Sequence, residues 1–288
     1  MNRGVIFALA AYVFWGVHPF YWKQLQHVSS WEIVSHRIFW SFIFFVIIIS
    51  VQKNWPGLFV KIKTSPNKWV IFTPAFLIGS NWAVYIWAVN SGHIIETSLG
   101  YFICPLVSVF LGVLFLRERL KRIQWIAVTI ATLGVLVMTV FYRQFPWISL
   151  YLAGTWGAYG LIRKQSPLNS AEGLTLETAL LSIPALTFLF FRYGSGISPI
   201  DMDFKTSLLL IGAGVISGLP LMIFIIGARL IRLSLIGILQ YIYPTIILLI
   251  GYFVYHESMT EAKFIGFIFI WIAIVIYLSQ STQLRRTG

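Results

Sequence analysis

Charge is scarce in this chain. Of 288 residues, 10% are Asp, Glu, Lys or Arg and 58% are hydrophobic, and the mean hydropathy is +0.83. That composition excludes a water-soluble globular domain. Long polar stretches are missing too: the longest connection, 52–68, has no room for a catalytic or ATPase domain. The one cysteine, Cys104, lies in an apolar run, so no intramolecular disulfide forms and the redox compartment cannot be read from cysteine. The enzyme patterns H-E-x-x-H, G-x-S-x-G and G-x-x-x-x-G-K-[ST] do not occur; His256 and Glu257 begin the first, but Thr260 stands where its second His belongs. No Cys or His cluster has metal-ligand spacing. The expectation is a non-enzyme without a bound cofactor.

What is present is apolar sequence in lengths that cross a bilayer. Runs near 4–22, 31–51, 69–89, 94–116, 125–142, 146–162, 174–191, 207–228, 235–255 and 264–280 are continuous, without the alternation of a membrane strand, and predict an all-α membrane protein of ten transmembrane helices. The first run is too long for a signal peptide and lacks a small-residue cleavage site, so it reads as a retained span. Fifteen of the 21 Lys and Arg fall on the side of the N-terminus, five on the other, and Arg37 lies within a span. By the positive-inside rule both termini are cytoplasmic. The formal charge of +12 is then a topology signal and an attraction for anionic membrane lipids, with nucleic acid not expected as a partner.

The chain also repeats itself. Pro105, Gly112 and Glu118 recur as Pro244, Gly251 and Glu257 at an offset of 139, which Gly79 and Gly218 share. Trp15, Gly16, Lys23 and Gln24 match Trp156, Gly157, Lys164 and Gln165 at 141, and Glu32 and Arg37 align with Glu172 and Glu177 at 140. Three ordered blocks at nearly constant offset predict two five-helix repeats, 1–142 and 146–280, followed by a cytoplasmic tail, 281–288. Five is odd, so the second repeat crosses in the opposite sense, giving two inverted repeats.

The strings "AYVFWGVHPFYWKQL", "WEIVSHRIFWSF", "SNWAVYIWAVNSGHIIETSLGYFICPL", "FLRERL" and "WGAYGLIRK" together cover much of both halves. The chain closely resembles the RarD branch of the EamA-type drug/metabolite transporters over nearly its whole length, most specifically in the N-terminal block with His36 and Arg37. The resemblance implies a ten-helix permease of the bacterial inner (cytoplasmic) membrane, working outward, and names no substrate. The short four-helix exporters of the same superfamily carry a carboxylate in their first helix. This first helix has none, so their proton-coupling site does not transfer.

An ionisable group at membrane depth is a functional candidate because it costs about 3 kcal/mol or more to place there. Arg37 sits roughly 9 Å into the second span. Glu96, at the start of the fourth span on the same side, is its expected counter-ion, while Glu32 and His36 lie one helical turn apart. Depth counting puts His18 and Asn81 in the same half. Arg37 and Glu96 then either form a pair that only fixes helix packing or, with His36 and Asn81, line a pathway that takes an anionic group or exchanges a proton. His18 and His36 would titrate near neutral pH if solvated, which suits a proton gradient as driving force. On the opposite side Glu177 lies roughly 8 Å deep, with Tyr159 and Gln240 at similar levels. As an isolated carboxylate it is the better proton-carrier candidate. The expectation is two polar layers flanking an aromatic middle.

Many aromatics near span ends are interface anchors, but Trp15, Trp82, Tyr85 and Tyr101 are placed to wall a cavity for a flat or amphipathic solute. Pro105 and Pro244, with Gly112 and Gly251, are the expected hinges. Gly214-x-x-x-Gly218 suits close packing within the chain or a homodimer face, which leaves monomer and homodimer both open. Glu118 and Glu257, ending repeat-related helices, are solvated or gate the two mouths. The function these features predict is a secondary transporter moving a small-molecule solute by alternating access; the rival is a structural or sensory membrane protein without transport.

Overall fold

The computed structural model describes residues 2–91, 93–142, 145–194, 203–256 and 261–283. Helices follow one another with short turns: α1 (Arg3–Trp22), a 3-10 turn (Lys23–Leu25), α2 (Ser30–Val51), α3 (Trp55–Thr64), α4 (Trp69–Asn90), α5 (Ile94–Phe115) and α6 (Arg122–Tyr142). The second half contains α7 (Trp147–Gln165), α8 (Ser170–Gly194), α9 (Phe204–Leu230), α10 (Leu233–Gln240), α11 (Ile242–Phe253) and α12 (Glu261–Gln283). No strand is present among the described residues. Among the described residues, eight spans meet length and apolarity for crossing a membrane, α10 and α11 counting as one. The other two expected spans are α7, whose last residues are Arg163, Lys164 and Gln165, and α12, whose apolar stretch is the shorter Phe264–Ser279.

Two features depart from the ten uniform runs. The ninth span breaks at Tyr241: Pro244 has no N–H for the carbonyl of Gln240, and the chain starts a new helix there. Its repeat counterpart Pro105 leaves α5 continuous. The other departure is α3, a short helix in the 52–68 connection. Its Leu58 is buried with Ile49, Ile71 and Leu168, while Phe59 and Val60 face outward. Lys68 caps its end by donating to the carbonyls of Ile62 and Lys63.

Packing follows the repeat. α2 packs on α8, α5 on α10 and α6 on α12, each a pair of repeat-related helices, and α5 on α7 has its counterpart in α1 on α10 and α11. Trp15 and Trp156, equivalent in the two halves, touch edge to face with centroids 5.4 Å apart. Arg117 and His256, also equivalent, both take the left-handed backbone at φ 53°, which turns the chain immediately before Glu118 and Glu257. Glu257 itself lies outside the described residues. The symmetry is incomplete: α2 runs along α9 extensively, whereas the corresponding α8 and α4 meet over a short stretch.

The α2–α8 pair is clamped at both ends. Glu32, near the start of α2, accepts from the Tyr193 hydroxyl at 2.9 Å and lies 3.8 Å from Arg192, both at the end of α8. Glu172, near the start of α8, accepts from Asn54 Nδ2 at 2.7 Å and from Lys61 Nζ at 2.8 Å, just beyond the end of α2. Asn169 and Glu172 also exchange backbone bonds, Glu172 N donating to Asn169 Oδ1 and Asn169 N to Glu172 Oε2. That is the reciprocal cap expected where a polar cap residue precedes Glu by three.

Gly214 and Gly218 serve packing inside the chain. A side chain on Gly214 would collide with the Trp40 carbonyl carbon, and one on Gly218 would press on Phe45. α2 and α9 therefore approach at backbone distance, where Ser41 Oγ donates to Gly214 O at 2.9 Å.

Candidate functional site

Arg37 stands deep in the bundle yet keeps part of its surface open. Its guanidinium lies over the Trp82 ring at 4.3 Å and near the Trp22 ring at 5.8 Å, and the Tyr85, Tyr101 and Tyr243 hydroxyls are within electrostatic range. Tyr101 bridges the other two tyrosines, with ring centroids 6.1 Å from Tyr85 and 5.1 Å from Tyr243. His18, one turn from Trp22 on α1, is a further electrostatic neighbour of Arg37, and its Nε2 is buried without a hydrogen-bond partner. α1, α2, α4, α5 and α11 thus each contribute to one aromatic cluster around Arg37.

The expected Arg37–Glu96 pair does not form. Glu96 Oε1 is 3.0 Å from His93 Nδ1, three residues away at the cap of α5, and the Glu96 carbonyl accepts from Ser149 Oγ at 2.6 Å. Depth counting gives Glu96 the right level but not the right direction around the helix. His36 also departs from the expected group: successive residues on a helix point about 100° apart, so with Arg37 inward His36 turns to α8. There its Nε2 is 2.6 Å from the Tyr193 hydroxyl, in an apolar groove of about 410 Å³ lined by Phe39, Trp40, Leu186 and Leu189. Asn81 pins α4 to α7, donating to Leu152 O at 2.9 Å and Thr155 Oγ1 at 2.8 Å.

The second polar layer is an ion pair. Glu177, expected as an isolated carboxylate, lies with Oε1 3.3 Å from Arg163 Nε and accepts from the Tyr159 hydroxyl at 2.9 Å. Both charged side chains are buried, at 1% and 2% exposure. The 3.3 Å contact is an ion pair without hydrogen-bond geometry, since neither Arg163 Nε nor Glu177 Oε1 makes a hydrogen bond. Arg163 Nη2 donates to Asn169 O at 3.1 Å. Gly173 makes the space: a β-carbon there would overlap Arg163 Nη1. In the sequence Arg163 reads as a loop charge because it ends an apolar run beside Lys164; its position one turn after Tyr159, on the same helix face, is the available signal. Gln240 is buried beside Cys104, its Oε1 without a partner.

Between the layers Trp15, Trp156 and Phe224 meet, with Phe224 centroids 5.6 and 5.3 Å from the two indoles, and Tyr12 and Tyr159 extend the cluster. Beyond it, the end carrying the N-terminus is sealed by polar ties. Glu118, reaching from the end of α5, accepts from Leu233 N at 2.6 Å, Ser234 N at 2.9 Å and Ser234 Oγ at 2.6 Å at the start of α10, where a carboxylate meets free N–H groups. Lys164 donates to Ala228 O and Ile231 O, and Arg229 to Ser166 O and Leu168 O.

Of the expected hinges, Gly112 has a more local task. Its missing side chain leaves the space for Glu118, whose Oε2 would be 2.8 Å from a β-carbon there. Pro105 sits where α5 crosses α10, its carbonyl 2.5 Å from a β-carbon placed on Gly237, and Pro244 and Gly251 are buried in α11.

A model of the EamA-like transporter family matches residues 2–140 and 146–279. Among curated proteins, the chain is 42% identical to "Uncharacterized transporter YojE" of Bacillus subtilis, covering 100% of this chain and 97% of that one. It is 40% identical to "Protein RarD" of Escherichia coli, covering 99% and 97%, and 30% identical to "Chloramphenicol-sensitive protein RarD" of Pseudomonas aeruginosa, covering 99% and 96%. A solved structure titled "Crystal structure of protein" superposes with a TM-score of 0.72 at 15% identity, covering 98% of both chains, a likeness of fold.

Proposed function

Because the chain belongs to the EamA-like transporter family, we propose that it is a secondary transporter carrying a small organic metabolite or drug-like solute across the bacterial cytoplasmic membrane by alternating access. The observation that carries this reading is the aromatic cluster around Arg37, divided by the Trp15–Trp156–Phe224 cluster from an end held shut by Glu118, Lys164 and Arg229. A polar group among aromatic rings on one side of a barrier and a seal on the other fits one state of such a cycle. The unequal packing of α2 on α9 and α8 on α4 supports it, since exchanging the two arrangements would open the sealed end.

Both termini are placed in the cytoplasm because most Lys and Arg flank that side even with Arg163 removed from the count. The moving units are the two five-helix halves, 1–142 and 146–280, with the α2–α8 pair as their common axle. Export is the preferred direction, on the RarD resemblance, and a proton gradient is the driving force, with Glu177 as its carrier once its bond to Arg163 opens.

The test is flux into and out of proteoliposomes, with amino acids and amphipathic drugs as solutes, with and without an imposed pH gradient. Wild type should move at least one class in response to the gradient. Folded Arg37→Ala and Glu177→Gln variants should not. A wild type that moves nothing across the panel would favour the structural or sensory reading.

A further inference from the structure

Arg37 differs from the other deeply placed charges among the described residues. Glu177 has Arg163, Glu172 has Lys61 and Glu32 has Tyr193 and Arg192. Arg37 takes part in no ion pair among the described residues. Its Nε is buried without a hydrogen-bond partner, and its neighbours are the faces of Trp82 and Trp22 and the tyrosine hydroxyls. Cation–π contacts of this kind return less than the cost of holding a full charge out of water.

We propose that this aromatic cluster is a receptor for an organic monoanion, its carboxylate on the fork of Arg37 and a flat apolar body against Trp82, Tyr85 and Tyr101. The guanidinium fork accepts a carboxylate through two parallel hydrogen bonds, which an aromatic cage alone cannot supply. One uncompensated cation matches one negative charge; a dianion would leave an excess charge buried. The aromatic walls favour a planar body over a branched or heavily hydroxylated one. This names the substrate class of the transport reading and rests on that reading only in treating the anion as cargo.

The test uses the full-length protein in detergent, with benzoate, the uncharged benzamide, acetate and inorganic phosphate as probes, and tryptophan emission and thermal melting as readouts. Benzoate should quench emission saturably and raise the melting temperature, while benzamide, acetate and phosphate at equal concentration do neither. Charge-assisted hydrogen bonds of this kind correspond to a loss of roughly tenfold to a hundredfold in affinity for Arg37→Gln, with Arg37→Lys between it and wild type. Trp82→Leu should weaken benzoate binding while leaving Arg37 in place. Benzamide binding as well as benzoate, or Arg37→Gln binding benzoate normally, overturns the proposal. So does a response to phosphatidylglycerol in nanodiscs with none to benzoate, because the anion would then be a lipid headgroup. Benzoate binding without flux of any solute sinks the transport reading and leaves the site; flux of neutral solutes without benzoate binding does the reverse.

Discussion

Replacing Glu177 by Gln, with Arg163 left in place, converts a buried ion pair into a lone buried cation. The two charges are 3.3 Å apart at 1% and 2% exposure, so their attraction is about 5 kcal/mol at an effective dielectric constant near 20. Desolvation offsets part of this in the intact pair, but removing one partner keeps the penalty and loses the attraction, and such losses run about 3–5 kcal/mol. The amide oxygen of the Glu177→Gln variant can still accept from the Tyr159 hydroxyl, and Arg163 keeps Asn169 O. Those retained bonds place the expected loss near the lower end, about 3 kcal/mol, or more than a hundredfold in the folding equilibrium. The assay is reversible unfolding in mixed micelles followed by tryptophan emission, for Glu177→Gln, Glu177→Leu, Arg163→Met and the double variant Arg163→Met/Glu177→Leu, the last three closing the cycle with wild type. The double variant should return to within about 1 kcal/mol of wild type, giving a coupling of at least about 2 kcal/mol. If Glu177→Gln matches wild type within about 0.5 kcal/mol and the coupling is near zero, the pair is not a structural bond and the reasoning fails.

Gly173→Ala should push the Arg163 guanidinium out of its notch and destabilise nearly as much as Glu177→Gln, while the same change in an Arg163→Met background should cost little; the same unfolding assay reads both. Arg37→Met should melt at or above the wild-type temperature, because it removes a charge that no counter-ion balances, and a large drop would show that Arg37 holds the helices together. Glu118→Gln should cost about 1.5–3 kcal/mol through weakened bonds to Leu233 N and Ser234 N, against about 0.5–1.5 kcal/mol for Ser234→Ala, by thermal melting. Gly214→Val should abolish accumulation of folded protein, since its side chain would meet the α2 backbone at Trp40, and fluorescence-detected gel filtration of the detergent extract would show a lost monodisperse peak.

The helical plan is legible because membrane spans declare themselves by length and apolarity, and the repeat because Pro105, Gly112 and Glu118 return in order at one offset. The same sequence pattern does not say that Pro244 breaks its helix and Pro105 does not; Pro105 lies where α5 crosses α10 at Gly237, a tertiary contact that local sequence does not announce. Depth along a helix can be counted, and it groups Tyr159 with Glu177 correctly. Orientation around the axis cannot, which is why depth alone pairs Arg37 with Glu96 and groups it with His36. Arg163 is hidden by its neighbour Lys164: two basic residues after an apolar run mark a helix end, and only the notch at Gly173 draws one of them inside.

The clamps on α2 and α8 are reciprocal: an acid at the head of each helix grips groups at or just beyond the tail of the other, 161 residues away for Glu32 and Tyr193 and 111 for Glu172 and Lys61. Were the two halves separate and identical, those contacts would be a single contact made twice across a two-fold axis.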